Sequence, residues 1–410
     1  MGLGARLFPV AALVLLGVSL PLGAQDQQPG SSGNNAEAPD VVNELPEENR
    51  QEISEALSEN TQDAVTLRRL LLGRSYHFFG RIEGEAAMYS GDRFDGEDGA
   101  DIRRLRLGIA GVLSDRVSYK AEIDLTDKTT SVSDVYVKVD TLRLGSLTVG
   151  NQRVAQNLSA MTGALSQLFM EDPLPVTSFS LSRRLAISQD IHSDRWAVHG
   201  SLFSRDPNND AGKRGWSIRT VINPARKADG IAHIGFSVVR EEMDREGRYR
   251  TRPESHVTDV RLVDTGPYND LRYQNLFGLE AAGAAGSLSG RIEGFRSTWE
   301  RAGGKESTFY GAYLEVGYFL TGQNFRYRQG RFARPNMGGR DAWEIGGRIS
   351  WVDLNDQDVQ GGEQVNLGLA VNYYPRQNVR IQSNLLRVRT SDVPDHDRSW
   401  IAQARIQINW

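Results

Sequence analysis

The chain has 410 residues, room for one large domain or two to three smaller ones. Hydrophobic residues make up 39% and charged residues 24%, and beyond residue 25 no run approaches the ~20 apolar residues of a membrane-spanning helix. Cysteine is absent, which excludes disulfides, thiol catalysis and thiolate metal sites, and no basic excess in the chain is large enough to suggest nucleic acid binding.

The opening stretch, MGLGARLFPVAALVLLGVSLPLGAQ, has one base, Arg6, then an apolar run from Leu7 to about Leu22 that ends in Gly23-Ala24. This is the layout of a secretory signal peptide over residues 1–24. A membrane anchor is the alternative, but the run is short and is broken by Pro21. Export would exclude most cytoplasmic functions. Residues 25–72 are a different material: DQQPGSSGNNAEAPD reads as a flexible polar linker, and the acidic stretch after it is expected to be part helical, because Ile53, Ala56 and Leu57 share a helical face. Residues 1–63 hold ten acids and two bases, so the remainder carries +4 and the acidic total conceals a mildly basic body.

From residue 73 onward alternation dominates. In YHFFGRIEGEAAMY, Tyr76, Phe78, Ile82, Ala86 and Met88 oppose His77, Arg81, Glu83 and Glu85. Leu105, Leu107, Ile109 and Leu113 oppose Arg104 and Arg106. Tyr119, Ala121, Ile123 and Leu125 oppose Lys120, Glu122 and Asp124. The chain ends on IAQARIQINW, where Ala402, Ala404, Ile406, Ile408 and Trp410 form a wholly apolar set. Period-two patterning means strands with one apolar and one polar face.

A soluble sandwich also alternates. Here, however, the polar faces carry full charges and aromatics mark strand ends: Trp343 and Trp351 on one segment, Tyr373-Tyr374 on another. Tight connections such as SDRV and PRQN alternate with glycine-rich ones such as SGDRFDGEDGAD, ERAGGKES and NDQDVQGGEQ. The expected fold is all-β, a transmembrane antiparallel β-barrel over residues 73–410. Between 16 and 18 alternating segments can be counted, and an even number is required, so sixteen strands are expected. The last strand would close the barrel, with Trp410 at the interface as an address for the outer-membrane assembly machinery. One connection stands out: between Gly150 and Ile187 the chain is too long for an ordinary loop and too apolar for solvent. Leu165, Leu168, Phe169 and Met170 need a wall, so it is expected to fold inward; an external lid is the alternative.

LTVGNQRVAQNLSAMTG, FMEDPLP, GRYRTRPESHVTDVRLVDTG, GAYLEVGYFLTG and AWEIGGRISWVDLND with GGEQVNLGLAVNYYPRQNVRI resemble the phosphate-selective porin O and P family of bacterial outer-membrane porins. The resemblance runs from about residue 75 to Trp410. It implies sixteen strands, a homotrimer, an inward-folded third loop, and arginines that hand anions down the pore.

The residues offer a candidate anion path. Arg248, Arg250 and Arg252 are two apart and share a face in extended chain, about 6–7 Å from one another. Guanidinium groups match phosphate oxygens bidentately. Arg272 follows, Arg103, Arg104 and Arg106 cluster where the second strand begins, and Arg153 opens the long loop. Lining of outer loops, or binding of lipopolysaccharide phosphates, is the alternative role for these arginines. The long loop departs from the family, whose loop is expected to offer lysine. Residues 151–182 hold one base, Arg153, and two acids, Glu171 and Asp172. No catalytic motif, metal spacing or cofactor signature stands out among the six histidines and the serines. The expected function is passive diffusion of small anions across the outer membrane. A weakly selective porin, a structural barrel and, remotely, a membrane-embedded hydrolase are the alternatives.

Overall fold

A computed structural model describes residues 75–410 except 127–129, 142–144, 208, 225, 228–229 and 393–397. The expected signal peptide and the polar, part-helical segment over 25–72 lie outside the described residues. Sixteen long strands follow in chain order: β1 Ser75–Ser90, β2 Gly99–Ser114, β3 Val117–Asp124, β4 Ser131–Asp140, β5 Ser146–Arg153, β6 Arg183–His192, β7 Trp196–Asp206 and β8 Asn209–Ile222. Then come β9 Gly230–Gly247, β10 Tyr268–Ala285, β11 Leu288–Arg301, β12 Glu306–Phe319, β13 Ala342–Asp356, β14 Val359–Arg376, β15 Val379–Ser391 and β16 Arg398–Asn409. Each pairs antiparallel with the next, and β16 pairs with β1 from Asn409↔Arg81 to Trp400↔Ser90, so the sheet closes into the sixteen-stranded barrel that the alternation predicts. The two-residue strand Arg226–Lys227 only extends the edge of β9.

Closure leaves no sheet edge, and period two then sorts every strand into an outer and an inner face. The outer face is apolar: Phe78, Ile218, Ile234, Leu279, Ile292, Leu314, Leu369 and Ile406 are all exposed. In water that would be an untenable patch; against lipid it is the required surface. Exposed aromatics gather at both rims. Trp196, Tyr318, Trp343 and Trp410 stand at the end holding both barrel termini, and Tyr310 and Trp400 at the opposite end. Trp343 stacks on Tyr373 with ring centroids 4.5 Å apart. Trp351 lies within β13 rather than at its end, and its indole N–H donates to Glu363.

The connections depart from a strict short-and-long alternation. NDQDVQGGEQ is mostly strand, because β13 and β14 continue until only residues 357–358 remain between them. Conversely, residues 320–341 form a long connection at the end where the turns are otherwise short. They contain a hairpin in which Arg326–Arg328 pairs with Arg331–Ala333.

Residues 154–182 carry two short helices, α1 Leu158–Met161 and α2 Leu174–Phe179. The segment hydrogen-bonds to inward-facing side chains on the far side of the barrel. Leu158 and Ser159 N–H donate to Glu293 of β11 (2.8 Å each), Met170 N–H donates to Asn384 of β15 (2.9 Å), and Arg380 donates to the Gln167 carbonyl (2.9 Å). Leu168, Phe169 and Met170 are buried, and two inward glycines make room for them. A Cβ at Gly346 would overlap Leu168 Cδ2, and one at Gly368 would lie 2.7 Å from Phe169. Leu165 differs from the other three: it is only half-buried. Residues 248–267 pack beside α2, with Tyr249 in an aromatic cluster of Phe179, Trp299 and Phe309.

Candidate functional site: a cationic chamber in the barrel

The inner faces of β1 to β6, the long loop and the 326–334 hairpin enclose a chamber of about 710 Å³. Nine arginine or lysine side chains line it against two carboxylates, Glu122 and Asp134. Arg81, Arg104, Arg106 and Lys120 come from strands where alternation carries them inward, and Arg183 from the first position of β6, ahead of the regular alternation in which Arg184 faces inward and Leu185 outward. Arg153 comes from the last position of β5, and Arg328, Arg331 and Arg334 from the hairpin and its exit.

Several of these bases are held by acids. Arg106 donates from Nε to Asp124 (2.6 Å) and from Nη1 to Glu122 (3.2 Å); Lys120 and Arg183 share Asp134 (2.7 and 2.5 Å). Arg104 pairs with Glu83. Arg153 donates to the Ala160 carbonyl, which fixes it against α1. Arg328, Arg331 and Arg334 have no carboxylate within ion-pair distance among the described residues. These three, together with Arg153, have no acid to compensate their charge directly and contribute most to the field inside the chamber.

Three of the sequence-derived candidates, Arg104, Arg106 and Arg153, therefore come together in one place. Arg103 sits next to them but serves a different contact. The β1–β2 register slips so that Glu83 pairs with Arg104 and Gly84 with Ile102, leaving Arg103 as a bulge residue. A bulge lets neighbouring side chains abandon strict alternation. Arg103 thereby clasps Glu171 of the long loop bidentately, at 2.9 and 3.0 Å. Arg405 of β16 donates to the same carboxylate (2.5 Å) and to the Met170 carbonyl (2.6 Å). Arg348 of β13 donates to the Glu171 carbonyl. Burial raises the Glu171 carboxyl, but Arg103 and Arg405 more than offset it and hold the group well below the usual carboxylate range.

Arg248, Arg250 and Arg252 lie elsewhere. They follow β9 in the 248–267 loop, not on a barrel strand, and Arg250–Thr251 pairs with Val263–Asp264. Arg248 binds Asp264, Arg252 binds Asp259 (2.5 Å), and Arg250 is exposed. The expected three-charge face on a lumen wall is thus replaced by a mouth loop in which two charges have acidic partners. Arg272 is exposed near the start of β10, beside a register slip between Leu271 and Tyr273. The structure brings none of these four to the chamber.

Arg81 and Lys120 were legible as polar-face residues without a reason to single them out, and Arg183 fell within the stretch read as the long connection. Arg328, Arg331 and Arg334 had a clear signal in RYRQGRFAR, four bases within nine residues, but nothing in it says that a turn-end segment enters the barrel.

A family model described as Phosphate-selective porin O and P matches residues 76–410. An uncharacterized protein of Caulobacter vibrioides is 33% identical over 313 residues, which cover 70% of this chain and 62% of that protein, so the chain spans less than two thirds of its relative. Among solved structures, an anion-selective porin from Comamonas acidovorans has a TM-score of 0.54 at 10% identity, covering 82% of this chain and 99% of that one. Pseudomonas putida OprB gives 0.55 at 12%, covering 85% and 97%. The trimer form of OmpT from Vibrio cholerae gives 0.54 at 11%, covering 82% and 99%. At such identities the likeness is one of fold.

Proposed function

Because this chain belongs to the phosphate-selective porin O and P family, we propose that it is an outer-membrane channel for passive diffusion of small anions, phosphate and polyphosphate among them, through the cationic chamber. The observation that carries this reading is the imbalance of the lining, nine bases to two carboxylates. The long loop, by its contacts with β11, β13, β14 and β15, acts as the constriction. Arg248, Arg250 and Arg252 gather anions at the mouth, with Arg103 and Arg272 contributing to the same field. Guanidinium forks suit phosphate oxygens. A homotrimer in outer-membrane lipid and lipopolysaccharide, assembled with the help of Trp410, is part of the same proposal; the Vibrio cholerae OmpT structure is itself described as a trimer form.

A second, weaker selectivity has an observation in its favour. Arg104, Arg106, Lys120 and Arg183 are each matched by an acid, so only part of the positive charge is free to act on a passing ion. Reversal potential under a potassium chloride gradient across a planar bilayer separates the readings. Anion preference that falls when Arg328, Arg331 and Arg334 are all changed to Ala supports the proposal. Cation preference in the unaltered channel overturns it. Phosphate that leaves the chloride current untouched assigns a general anion porin.

A further inference from the structure

The chamber has two unlike walls. One is the row of bases on β1, β2, β3 and β6. The other is apolar: Met161, Ala164 and Leu165 of the long loop, with Phe332 of the hairpin, which packs into a cluster with Leu158 of the same loop. Met161 and Leu165 are half-buried and belong to none of the apolar cores that dock the loop. Leu168, Phe169 and Met170, three to five residues beyond Leu165, are spent on packing; Met161 and Leu165 are left facing open space. On the basic side, Phe79 places its ring under Lys120, with Nζ 5.2 Å from the centroid. A pore that passed only hydrated inorganic ions would gain nothing from such a lining, because bare apolar surface costs free energy in contact with water. Its volume of about 710 Å³ is that of a site for a small organic ligand, typically about 300–1,000 Å³.

We propose that the chamber is a binding site for compact organic carboxylates with an apolar body, of which an aromatic acid is the simplest case. The carboxylate meets Arg328 and Arg331 of the hairpin, which have no acidic partner among the described residues, while the ring lies against Met161 and Leu165. The proposal rests on the anion-channel reading and names its substrate class. It also accounts for the missing base in the loop: between residues 154 and 182 the chain offers hydrocarbon where a phosphate channel would be expected to offer charge.

The test uses the purified full-length protein in planar bilayers, with benzoate, acetate and inorganic phosphate each added against chloride. Benzoate and acetate share a carboxylate and differ by the ring. Benzoate is expected to halve the chloride current at about one tenth of the acetate concentration, which corresponds to about 1.4 kcal/mol. That requires only about 55 Å² of ring surface removed from water at ~25 cal/mol per Å². In the double variant Met161→Gln with Leu165→Gln, the benzoate-to-acetate ratio is expected to fall towards one. The ratio is taken within one channel, so any change of conductance cancels. In Arg331→Ala both acids are expected to weaken together, with the ratio kept. Heat-resistant migration on gels checks that each variant is folded. Equal block by benzoate and acetate, stronger block by phosphate than by benzoate, or an unchanged ratio in the double variant would each overturn the organic-acid assignment while leaving an anion channel. Cation preference would instead remove the anion channel itself, and this assignment with it.

Discussion

Arg103 illustrates how a single residue changes role when the register slips by one position. On a regular strand it would point away from Arg104 and Arg106, into lipid, where an arginine costs about 2–4 kcal/mol at mid-depth. The bulge turns it inward onto Glu171. A carboxyl held below its ordinary value of 4.5 in the folded protein contributes stability that is complete above that value and is lost as pH falls through the depressed one. The loop tip should therefore stay docked from neutral pH down to about pH 5 and loosen only in stronger acid. Conductance that rises already between pH 7 and pH 5, by more than the mobility of the bath ions explains, would contradict this assignment. Glu293 is a second anchor of the same loop. It accepts from the Leu158 and Ser159 N–H groups and from the Tyr313 hydroxyl (2.5 Å), and it is fully buried. Glu293→Ala strands two buried backbone donors, at a cost of about 1–3 kcal/mol each. The expected outcome is a channel with larger and noisier single-channel currents; a current trace indistinguishable from that of the unaltered protein would show that the loop has other, sufficient anchors.

At the scale of the element, two segments hydrogen-bond to the inner wall of the barrel, and they were unequally legible. The long loop announced itself: residues 151–185 are apolar, and Leu168, Phe169 and Met170 do find a wall. What no spacing could reveal is the complementary part of that wall, Gly346 and Gly368, since a glycine in a strand reads equally as a bulge, a bend or a close approach. Gly346→Val should displace Leu168 and with it the loop, raising conductance without altering the barrel; an unchanged conductance would mean that the loop accommodates a branched side chain there. The 320–341 connection was not legible, because short turns were expected at that end throughout. Its hairpin is held by Arg219, which donates to the Gly330 carbonyl (2.7 Å), and by contact of Tyr327 with His233. Replacing residues 324–336 with a tight turn is expected to raise conductance and also to reduce anion preference, because Arg328, Arg331 and Arg334 leave with it. Deletion of the apolar tip of the long loop should raise conductance while anion preference persists. Arg248, Arg250 and Arg252 show the converse failure. Their period of two places them on one face of an extended segment, but a period cannot distinguish a barrel strand from a mouth loop that happens to be extended.

At the scale of the whole molecule the sequence was most informative, because the fold is dictated by a constraint that acts on every strand. Each backbone N–H and C=O in the hydrocarbon must be paired within the protein, so the sheet has to close, and the side chains have to alternate between lipid and lumen. That is why the sixteen strands and their faces could be read from period two, while bulges and inserted segments, which answer to local packing, could not. The same constraint yields a test on a neighbouring pair. Leu314 and Glu315 are adjacent on β12; Leu314 is exposed on the outer face beside Ile292 and Ile349, and Glu315 is buried inside, where Arg291 and Arg348 hold it. Leu314→Arg puts a charge into lipid near the middle of the strand and is expected to lower folding stability in phospholipid vesicles by about 2–4 kcal/mol, read from denaturant titration of the folded band. Leu314→Phe at the same position should cost little, because the outer surface asks only for an apolar group. Glu315→Gln removes one of the acids that compensate the inner arginines; it should be tolerated by the barrel and should strengthen anion preference. If Leu314→Arg folded as well as the unaltered chain, the outer face would not be a lipid surface, and the division of every strand into lipid and lumen sides would have to be abandoned.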